Sequence, residues 1–548
     1  MKQFHLYIVS AALLLLSACS SDNDELPGGS SNTPLNALRI EISASDFADA
    51  NGISTRAIDN GASTTFKSND RIGIIVLDNS NHVLSDNIPY KYNGSTWSFD
   101  NSNGEGKTAV YYDNKAGTYF AYFPYNKEAD GIAGADILAA LKAKFPPRYD
   151  QRTEDAYRAS DLLVWSNTGS APLKKLNIEF THAYSSLSLS PSIKCEIDGK
   201  ETSYIPSSVA DVNFTIGTEP LLAYHADNGS YRIIVSPQQT CARWFCSYKA
   251  KTYGGTMSET ALAANNRYTL APALKDIGAY TFANAQVGDF YCRNNSNEGY
   301  LIPGDASLTD AQQAACIGIV YSIDVSRIGT AATQALKEKG VSTPHGLVMA
   351  LTNASEGCRW GDYGKDENSG GADGEPFKAN TDQLQKQYNN VDGYGETHWI
   401  IEAYESNGTT LKDTYTAFYH ASLYGTAESS TGKYAVPSNT TGWFIPGMGQ
   451  WWDILSNLGK IDLTNYRDDT GSYTYISGAA PIAVANMNTY LQKISGATPF
   501  RTDTYFWSSS EYSGNYACHV FFYSIGYLYL GDDVKDYSDG RVRCSFAF

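Results

Sequence analysis

Carboxylates near the end of this 548-residue chain are the first candidates for chemistry. Asp532, Asp533 and Asp536 follow one another between two strand-like runs. Calcium binds about six to eight oxygen ligands, so carboxylates on a flexible connection could hold it. The other interpretation is a solvated hairpin, which suits a chain whose net charge is −17. We predict no metal site and keep these three residues as the calcium candidates.

The common catalytic arrangements are missing from the sequence. It contains no His-Glu-x-x-His helix and no Gly-x-Ser-x-Gly turn, the patterns that place a metal or a nucleophile beside its partners. Ser430 and Lys433 match Ser-x-x-Lys, but they lie in a Gly/Ser-rich stretch that has no helix to present them. We predict that the protein is not an enzyme and uses no cofactor.

Two of the nine cysteines lie on strand-like runs near the C-terminus. Cys518 and Cys544 both fall on the apolar side of their strands, where burial disfavours the reactive thiolate. Two interpretations stay open, namely buried free thiols and a disulfide between neighbouring strands of an exported protein. No Cys-x-x-Cys spacing occurs, which argues against zinc and thioredoxin-like sites.

Aromatic residues in or beside turns are the candidates for ligand binding. Their ring faces stand next to serine hydroxyls and aspartate carboxylates, a combination that suits a sugar or peptide surface. The alternative is that Trp507 and the serine-rich turn after it buttress the fold. The candidate residues are Trp507, Tyr512, Tyr516, Tyr527 and Tyr529.

Periodic helices and strands would position these side chains. Apolar residues at helical spacing around Ile454 and Leu458 predict a helix that Gly459 ends. A second helix is predicted from Pro481 to Gly496, because proline suits the first helical position. Strand-like runs follow at residues 517–523, 527–530 and 541–548.

The last of these runs alternates strictly between two kinds of side chain. Val542, Cys544 and Phe546 occupy one face, whereas Arg541 and Arg543 occupy the other. A period of two residues is that of a β-strand. The pattern therefore predicts a single closing strand with the arginines opposite the apolar face.

Four C-terminal segments stand in a characteristic order, namely Trp443-Phe444-Ile445-Pro446, Gln450-Trp451, Trp507-Ser508-Ser509-Ser510-Glu511-Tyr512 and Val542-Arg543-Cys544. Together they resemble the C-terminal module of Legionella-type collagen-like adhesins, which is akin to C-type lectins and to formylglycine-generating enzymes. The resemblance implies an α+β adhesive domain over residues 287–548. It says less about activity, because one fold hosts many functions.

The N-terminus has the pattern of a lipoprotein signal. Lys2 precedes an apolar run that is too short to span a bilayer. Leu16-Ser17-Ala18-Cys19 resembles a lipobox, in which the signal peptide is cut before a cysteine that carries lipid. We predict a signal peptide over residues 1–18, lipid on Cys19 and a flexible tether over residues 19–34. The alternative is an ordinary secretory signal with a chance cysteine.

The region after the tether has an all-β pattern. Leu38, Ile40 and Ile42 alternate with Arg39 and Glu41, which predicts a half-buried strand. The runs that follow are short and are separated by asparagine, glycine and aspartate, as is typical of a β-sandwich. We therefore predict a mainly β fold for this part of the chain.

Six segments of this region stand in a characteristic order, namely Thr55-Arg56-Ala57, Phe66 to Gly73, Tyr90 to Trp97, Tyr119 to Tyr125, Asp161-Leu162-Leu163 and Phe180-Thr181-His182-Ala183. Together they resemble the fimbrillin-like lipoproteins of anaerobic gut and oral bacteria. The resemblance implies a two-lobed β-sandwich over residues 35–275. It also implies cleavage between Arg56 and Ala57, loss of the first strand, and its replacement by a strand from a neighbouring subunit through β-strand addition.

Together these patterns predict a surface fimbrial subunit, in the position of a tip or minor adhesin. It would polymerise with other fimbrillin subunits, reach the outer membrane through its lipid alone, and bind a glycan or protein on a host or bacterial surface. The net charge of −17 argues against nucleic acid as a partner. The alternative function is a surface lipoprotein that binds glycans without polymerising.

The lipid anchor gives a direct test. Replacing Cys19 with alanine should abolish palmitate labelling and release the protein from membranes, because the thiol is the lipid carrier. The loss should be complete, since each buried lipid methylene contributes about 0.8 kcal/mol to membrane binding. Radiolabelled palmitate and membrane fractionation measure both effects, and unchanged labelling of the variant would refute the prediction.

Overall fold

The protein is mainly β, with 36% strand and 22% helix, as the sequence predicted. A computed structural model of the chain describes residues 37–49, 64–103, 106–169, 172–216, 219–238, 243–256, 261–367, 381–406 and 408–548. The predicted signal peptide, tether, Cys19, Arg56 and Ala57 lie outside these residues.

Strands account for most of the regular structure. In the region before residue 280 they are β1 (Arg39–Ala44), β2 (Ala48–Asp49), β3 (Arg71–Asp78), β4 (Val83–Tyr92), β5 (Trp97–Phe99), β6 (Ala116–Phe123), β7 (Leu163–Thr168), β8 (Lys175–His182), β9 (Ser185–Leu189), β10 (Ser192–Ile197), β11 (Lys200–Tyr204), β12 (Ala210–Ile216), β13 (Glu219–Leu222), β14 (Tyr224–His225), β15 (Tyr231–Val235), β16 (Arg243–Tyr248), β17 (Lys251–Thr256), β18 (Asn266–Leu270) and β19 (Ala273–Ala279).

Most of the helices lie after residue 280, together with the remaining strands. These strands are β20 (Phe290–Arg293), β21 (Gly299–Ile302), β22 (Cys316–Ser322), β23 (Leu347–Ala350), β24 (Ser355–Cys358), β25 (Thr474–Ile476), β26 (Thr504–Glu511), β27 (Tyr516–Phe522), β28 (Leu528–Val534), β29 (Gly540–Val542) and β30 (Ser545–Ala547). The helices are α1 (Ile137–Lys144), α2 (Glu154–Ser160), α3 (Asp310–Ala315), α4 (Thr330–Glu338), α5 (Leu384–Asn389), α6 (Gly393–Glu405), α7 (Thr410–Asp413), α8 (Thr416–Leu423), α9 (Met448–Asn457) and α10 (Ala479–Leu491).

The chain forms two compact units. The first takes the chain up to Ala44, then Thr65–Lys144 and Leu163–Phe180; the second takes Ser45–Thr64, Phe145–Leu162 and Thr181–Phe548. The predicted start of a separate domain at residue 287 lies inside the second unit, and that boundary stays a prediction.

A seven-stranded sheet dominates the first unit. Its strand order is β1-β8-β7-β6-β3-β4-β5, so β1 lies at one edge. The exposure of β8 alternates with every residue, as a sheet with one covered face requires. The core between these strands includes Ile72, Tyr119 and Ile178, all nearly inaccessible to solvent.

Strand β1 has the alternation that its sequence predicted. It pairs with β8 in parallel, and Ile40 and Ile42 stand opposite Leu176 and Ile178. These two isoleucines pack against the core of the first unit, and Leu38, just before the strand, is buried in it. The residues between them point outward and are exposed. An edge strand therefore covers part of the core of the first unit.

Five sheets make up the second unit. The three that precede residue 280 have the strand orders β11-β10-β19, β13-β12-β16-β17 and β14-β15-β9-β18-β2. The two that follow have the orders β21-β20-β22-β23-β30 and β24-β29-β26-β27-β28-β25. One continuous apolar core runs through the unit from Leu187 to Phe548. Polar contacts add to it, since the hydroxyls of Tyr204 and Tyr248 both donate to the Asp305 carboxylate at 3.1 Å.

Both predicted C-terminal helices are present. Helix α9 spans Met448–Asn457, and the Gly447 amide donates to the side-chain oxygen of Gln450 at 2.9 Å, which caps its first turn. Helix α10 spans Ala479–Leu491 and so begins two residues before Pro481 and ends before Gly496. Apolar spacing therefore located both helices, with errors only at their ends.

The predicted closing strand is divided in two. Strand β29 belongs to the six-stranded sheet and β30 to the five-stranded sheet. Arg543 lies between them and is fully buried, with its guanidinium donating to the carbonyl oxygens of Ala350 at 3.1 Å and Thr498 at 2.8 Å. The prediction of one continuous strand was wrong, because the chain changes sheets at this arginine.

The edge strand β1 supports a stability prediction. Replacing Ile42 with serine should lower the free energy of unfolding of the first unit by about 1–2 kcal/mol, because the residue loses part of its apolar burial. Replacing the outward-facing Ser43 with alanine is the matched control and should change it by less than about 0.5 kcal/mol. Urea unfolding of the uncleaved chain measures both, and equal effects would show that β1 does not cover a core.

Candidate functional site

The six-stranded sheet has two chemically different faces. Successive residues of a strand point to opposite sides of the sheet. The pairing of β26, β27, β28 and β25 places aromatic residues opposite one another on the same side. One side carries Phe506, which packs 5.4 Å from Trp451 of α9. The other side carries what we call the aromatic face, namely Tyr475, Tyr505, His519, Phe521 and Tyr529.

The rings of the aromatic face form a continuous row. Tyr505 stacks on His519 with ring centroids 4.1 Å apart, and His519 lies 5.1 Å from Tyr529. Tyr529 in turn lies 4.7 Å from Tyr475. Tyr537, in the turn after β28, adds a ring 5.3 Å from Tyr505. A row of this kind offers both ring faces and hydroxyl groups to a ligand.

A cavity of about 640 Å³ lies on the aromatic face. Acidic residues border it, including Asp503, Asp533 and Asp539. Glu356 and Arg541 complete the border, and the Arg541 Nε–H donates to the Glu356 carboxylate at 2.9 Å. The cavity therefore combines aromatic walls with an excess of negative charge.

Two polar atoms in this cavity are buried without a partner. The Tyr505 hydroxyl and Nδ1 of His519 have no hydrogen-bond partner in the part of the chain that the structure describes. Tyr505 is 5% exposed and His519 is 3% exposed. A buried polar group without a partner is costly, so such atoms mark places where a further group can be bound.

The charges of the site follow from burial. Burial lowers the pKa of His519 to about 3, so its imidazole is neutral near pH 7. Burial also raises the pKa of Asp533 above its usual range. Burial, with a smaller effect from the Asp533 charge, raises the pKa of Asp532 to about 6.

Two of the predicted ligand-binding tyrosines lie on or beside the aromatic face. Tyr529 is part of the row, and Tyr527 is exposed with its ring 6.4 Å from Tyr475. Tyr512 and Tyr516 lie elsewhere, at the turn between β26 and β27, where their rings are 6.4 Å apart. These two do not line the cavity.

The structure places Trp507 in the interior of the fold. Its side chain is fully buried, and its indole N–H donates to the carbonyl oxygen of Cys358 at 3.0 Å. Gly540 packs directly on the indole, and a Cβ at that position would collide with it. The alternative interpretation, that Trp507 buttresses the fold, is the one the structure supports.

The aspartates proposed for calcium are not grouped. Asp532 and Asp533 are successive residues of β28, so their side chains leave opposite faces of the sheet, and Asp536 is exposed in the following turn. Within the described ranges, no group of three or more His, Cys, Asp or Glu side chains is placed to hold a metal ion. The alternation of β28 is therefore the physical obstacle to that hypothesis.

Of the two interpretations that the sequence left open for Cys518 and Cys544, the structure shows buried free thiols. Cys518 and Cys544 are both buried free thiols, and the Cys518 thiol donates to the Thr381 carbonyl oxygen at 3.6 Å. The thiols that approach each other are those of Cys292 and Cys316, at 2.9 Å on paired strands β20 and β22. Their sequence spacing gave no signal, because only the strand register brings them together.

The serine-rich segment 508–511 is a buried structural network, with each of its residues at most 1% exposed. The Glu396 carboxylate of α6 accepts hydrogen bonds from the hydroxyls of Ser509 at 2.5 Å and Ser510 at 3.2 Å, and from the Asn390 amide at 2.7 Å. Burial raises the pKa of Glu396 to about 8, partly offset by the hydrogen bond from Ser509.

The residues that line the cavity were mostly missed by sequence reasoning. Tyr475, Tyr505 and His519 belong to different strands and have no common spacing. The usable signal was local, because aromatic side chains recur on one face of β26 and β27, where a solvated face would carry mainly polar residues. Only the strand pairing identifies them as one surface.

Residues 55–289 of the chain match a known family. A family model described as "Fimbrillin-like" matches residues 55–289. This segment is similar to the fimbrillin-like family. The match ends close to the predicted start of the C-terminal domain at residue 287. No helix in the described residues is both long and apolar enough to cross a membrane.

Three relatives illustrate the similarity. The chain is 26% identical to "Putative fimbrium tip subunit Fim1C" of Bacteroides ovatus over 93% of each chain. It resembles a crystal structure of a fimbrial protein from Bacteroides ovatus, with 19% identity, a TM-score of 0.37, and coverage of 94% of this chain and 99% of that one. It also resembles a "putative cell adhesion protein" from Bacteroides uniformis, with 17% identity, a TM-score of 0.29, and coverage of 38% of this chain and 88% of that one.

The buried Glu396 supports a pH prediction. Its folded-state pKa of about 8 exceeds its ordinary value of 4.5, so the folded chain holds a proton that the unfolded chain releases between these values. Stability should therefore fall as the pH rises through this window. Glu396→Gln removes this titration. Between pH 5 and pH 8 the free energy of unfolding of the variant should therefore rise by about 2–4 kcal/mol relative to that of the unsubstituted protein.

Urea unfolding at the two pH values measures this difference. Glu402→Gln, an exposed substitution on the same helix, is the matched control and should leave the pH dependence unchanged. An unaltered pH dependence in Glu396→Gln would mean that this carboxyl does not titrate in the window.

Proposed function

We propose that this protein is a cell-surface fimbrial subunit, in the position of a tip or minor adhesin. The observation that carries the proposal is the similarity to the fimbrium tip subunit of Bacteroides ovatus, which extends over 93% of both chains. The fimbrillin-like match of residues 55–289 supports the same role. Because the similarity extends beyond residue 289, the C-terminal part belongs to the comparison as well.

Assembly would proceed by exchange of the first strand. Strand β1 is an edge strand whose apolar face packs on the core of the first unit. Its removal would expose apolar side chains and the backbone groups of β8, and an unpaired edge accepts another strand readily. The same stretch of chain also supplies β2, the edge strand of a five-stranded sheet in the second unit. Cleavage after Arg56 would therefore release two edge strands together.

The closing strand is a poor donor for such an exchange. Strand β30 pairs with β23, and the Phe548 carbonyl oxygen accepts a hydrogen bond from the His345 amide at 2.7 Å. A strand held in this way is not free to enter a neighbouring subunit. The pairing of β30 supports a position at the fimbrial tip.

The C-terminal part would meet the ligand. The aromatic face and its acidic cavity form a surface of the kind that binds sugars or peptides. Lipid on Cys19 would hold the precursor at the outer membrane until assembly. The competing function is a lipid-anchored surface protein that binds glycans and never polymerises. The aromatic face by itself does not distinguish this function from that of a fimbrial subunit.

Processing at Arg56 separates these two functions. Arg56→Ala should prevent trimming and abolish incorporation into fimbriae, because β1 then stays paired with β8 and continues to cover the core of the first unit. Arg39→Ala, which changes an exposed arginine of β1 itself, is the matched control and should be trimmed and assembled normally. N-terminal sequencing of subunits from purified fimbriae should give a start at Ala57.

One result would overturn the assembly scheme. If subunits in intact fimbriae retain Arg39–Ala44, strand exchange does not occur. A chain that is trimmed at Arg56 but is never found in fimbriae would instead favour the non-polymerising lipoprotein.

A further inference from the structure

The cavity on the aromatic face is selective in its charge. Carboxylates of Asp503, Asp533, Asp539 and Glu356 border it, and the one arginine among its lining residues, Arg541, is paired with Glu356. Lysine does not occur among the described residues that line it. Phosphates, sulfates and carboxylates are therefore disfavoured as ligands, whereas a cation is favoured.

The walls of the cavity also suit a cation. Tyr475 and Tyr537 are 49% and 39% exposed, so their rings are available at its entrance. Tyrosine rings attract ammonium and guanidinium groups through their negative faces. The aliphatic part of a long side chain could pack on these rings while its charged end passes further in.

Two buried side chains that line the cavity each have a polar atom that could accept a hydrogen bond. The Tyr505 hydroxyl and the neutral His519 imidazole are both buried, and each has a polar atom without a partner among the described residues. Either atom can accept a hydrogen bond, and the Asp533 carboxylate lies on the same face of the sheet. A ligand that carries several N–H donors and a positive charge would satisfy these acceptors together.

A metal ion fits this arrangement poorly. The described residues contain no cluster of three or more metal-ligating side chains, and aromatic rings occupy the positions where further oxygens would be needed. In an amino sugar the amine is attached directly to the ring. Binding of that amine would bring the bulky sugar ring close to the buried acceptors. Tyr505 and His519 are buried whereas Tyr475 and Tyr537 are exposed, so a thin flexible chain reaches the buried acceptors more easily.

We propose that this cavity binds the side-chain ammonium or guanidinium group of a lysine or arginine on a partner protein. The inference rests on the proposed role of the C-terminal part as the ligand-binding region, and it assigns that region a basic polypeptide as its ligand. The carboxylates supply the charge, the rings hold the aliphatic stem, and the Tyr505 hydroxyl and His519 Nδ1 receive the N–H groups.

Calorimetric titration of the whole exported chain tests the proposal. The probes are glycine pentapeptides with a central lysine or arginine, and the control peptide carries acetyl-lysine, which keeps the stem but loses the charge. We expect saturable binding of the two basic peptides that weakens with added salt, and at least about tenfold weaker binding of the acetylated peptide.

Two substitutions locate the binding in this cavity. Asp533→Asn should weaken binding of the lysine peptide by at least about threefold, because it removes one charge. Tyr505→Phe should weaken it by about tenfold without lowering the melting temperature, because the hydroxyl that is removed has no partner in the folded chain. Asp413→Asn, an exposed substitution on α7 away from the cavity, is the charge-matched control and should change nothing.

Competing ligands are tested in parallel arms with glucosamine oligomers, N-acetylglucosamine oligomers and calcium chloride. Stronger binding of a sugar than of the basic peptides, or a rise in melting temperature with calcium, would overturn the proposal. So would basic peptides that bind Tyr505→Phe and Asp533→Asn as well as the unsubstituted protein. Fimbrial incorporation of the same variants is scored separately, since variants that assemble normally but lose peptide binding leave the proposed fimbrial role intact.

Discussion

A buried ion pair between Lys535 and Glu511 holds the turn that borders the cavity. The Lys535 ammonium donates to the Glu511 carboxylate, and both side chains are fully buried. The backbone carbonyl oxygen of Lys535 also accepts hydrogen bonds from the amides of Trp360 and Gly361, and the Trp360 ring lies 4.8 Å from the ammonium. A buried charge is costly unless its partner is present, so this arrangement allows one position for the chain around Lys535.

That position determines the border of the cavity. The turn that begins after Lys535 carries Tyr537 and Asp539, and β29 with Arg541 follows it. The Glu511 carboxylate also accepts a hydrogen bond from the Glu367 amide, whose own carboxylate receives the hydroxyls of Tyr404 and Tyr415. Few flexible elements therefore separate the aromatic face from the rigid interior, which gives the cavity a defined shape before any ligand is bound.

Sequence patterns predicted those features that depend on local periodicity. Helices α9 and α10 and the edge strand β1 were all recognisable, because apolar residues recur at the spacing of one helix face or one strand face. Features that depend on strand register were not predictable in this way. The approach of Cys292 to Cys316 and the row from Tyr505 to Tyr475 both join residues that only sheet pairing brings together.

The sequence did not determine the partners of buried polar side chains. A ligand-binding role and a structural role were both open for Trp507, and its N–H and its ring are both used inside the core. Arg543 was expected on the face opposite the apolar residues, and its guanidinium satisfies two carbonyl oxygens in the interior. A periodic pattern records the type of a residue and not the partners it finds, so buried polar residues are the ones it misplaces.

The change of sheet at Arg543 has a mechanical consequence. Strands β29 and β30 are joined by two residues and belong to different sheets, so this short segment is a direct covalent tie between the sheet that bears the cavity and the sheet beside it. A force that separates the two sheets acts along this segment. It loads the pairing of β29 and the pairing of β30 at the same time. Bonds that are loaded together resist more force than bonds broken one after another, so this segment strengthens the attachment of the two sheets to each other.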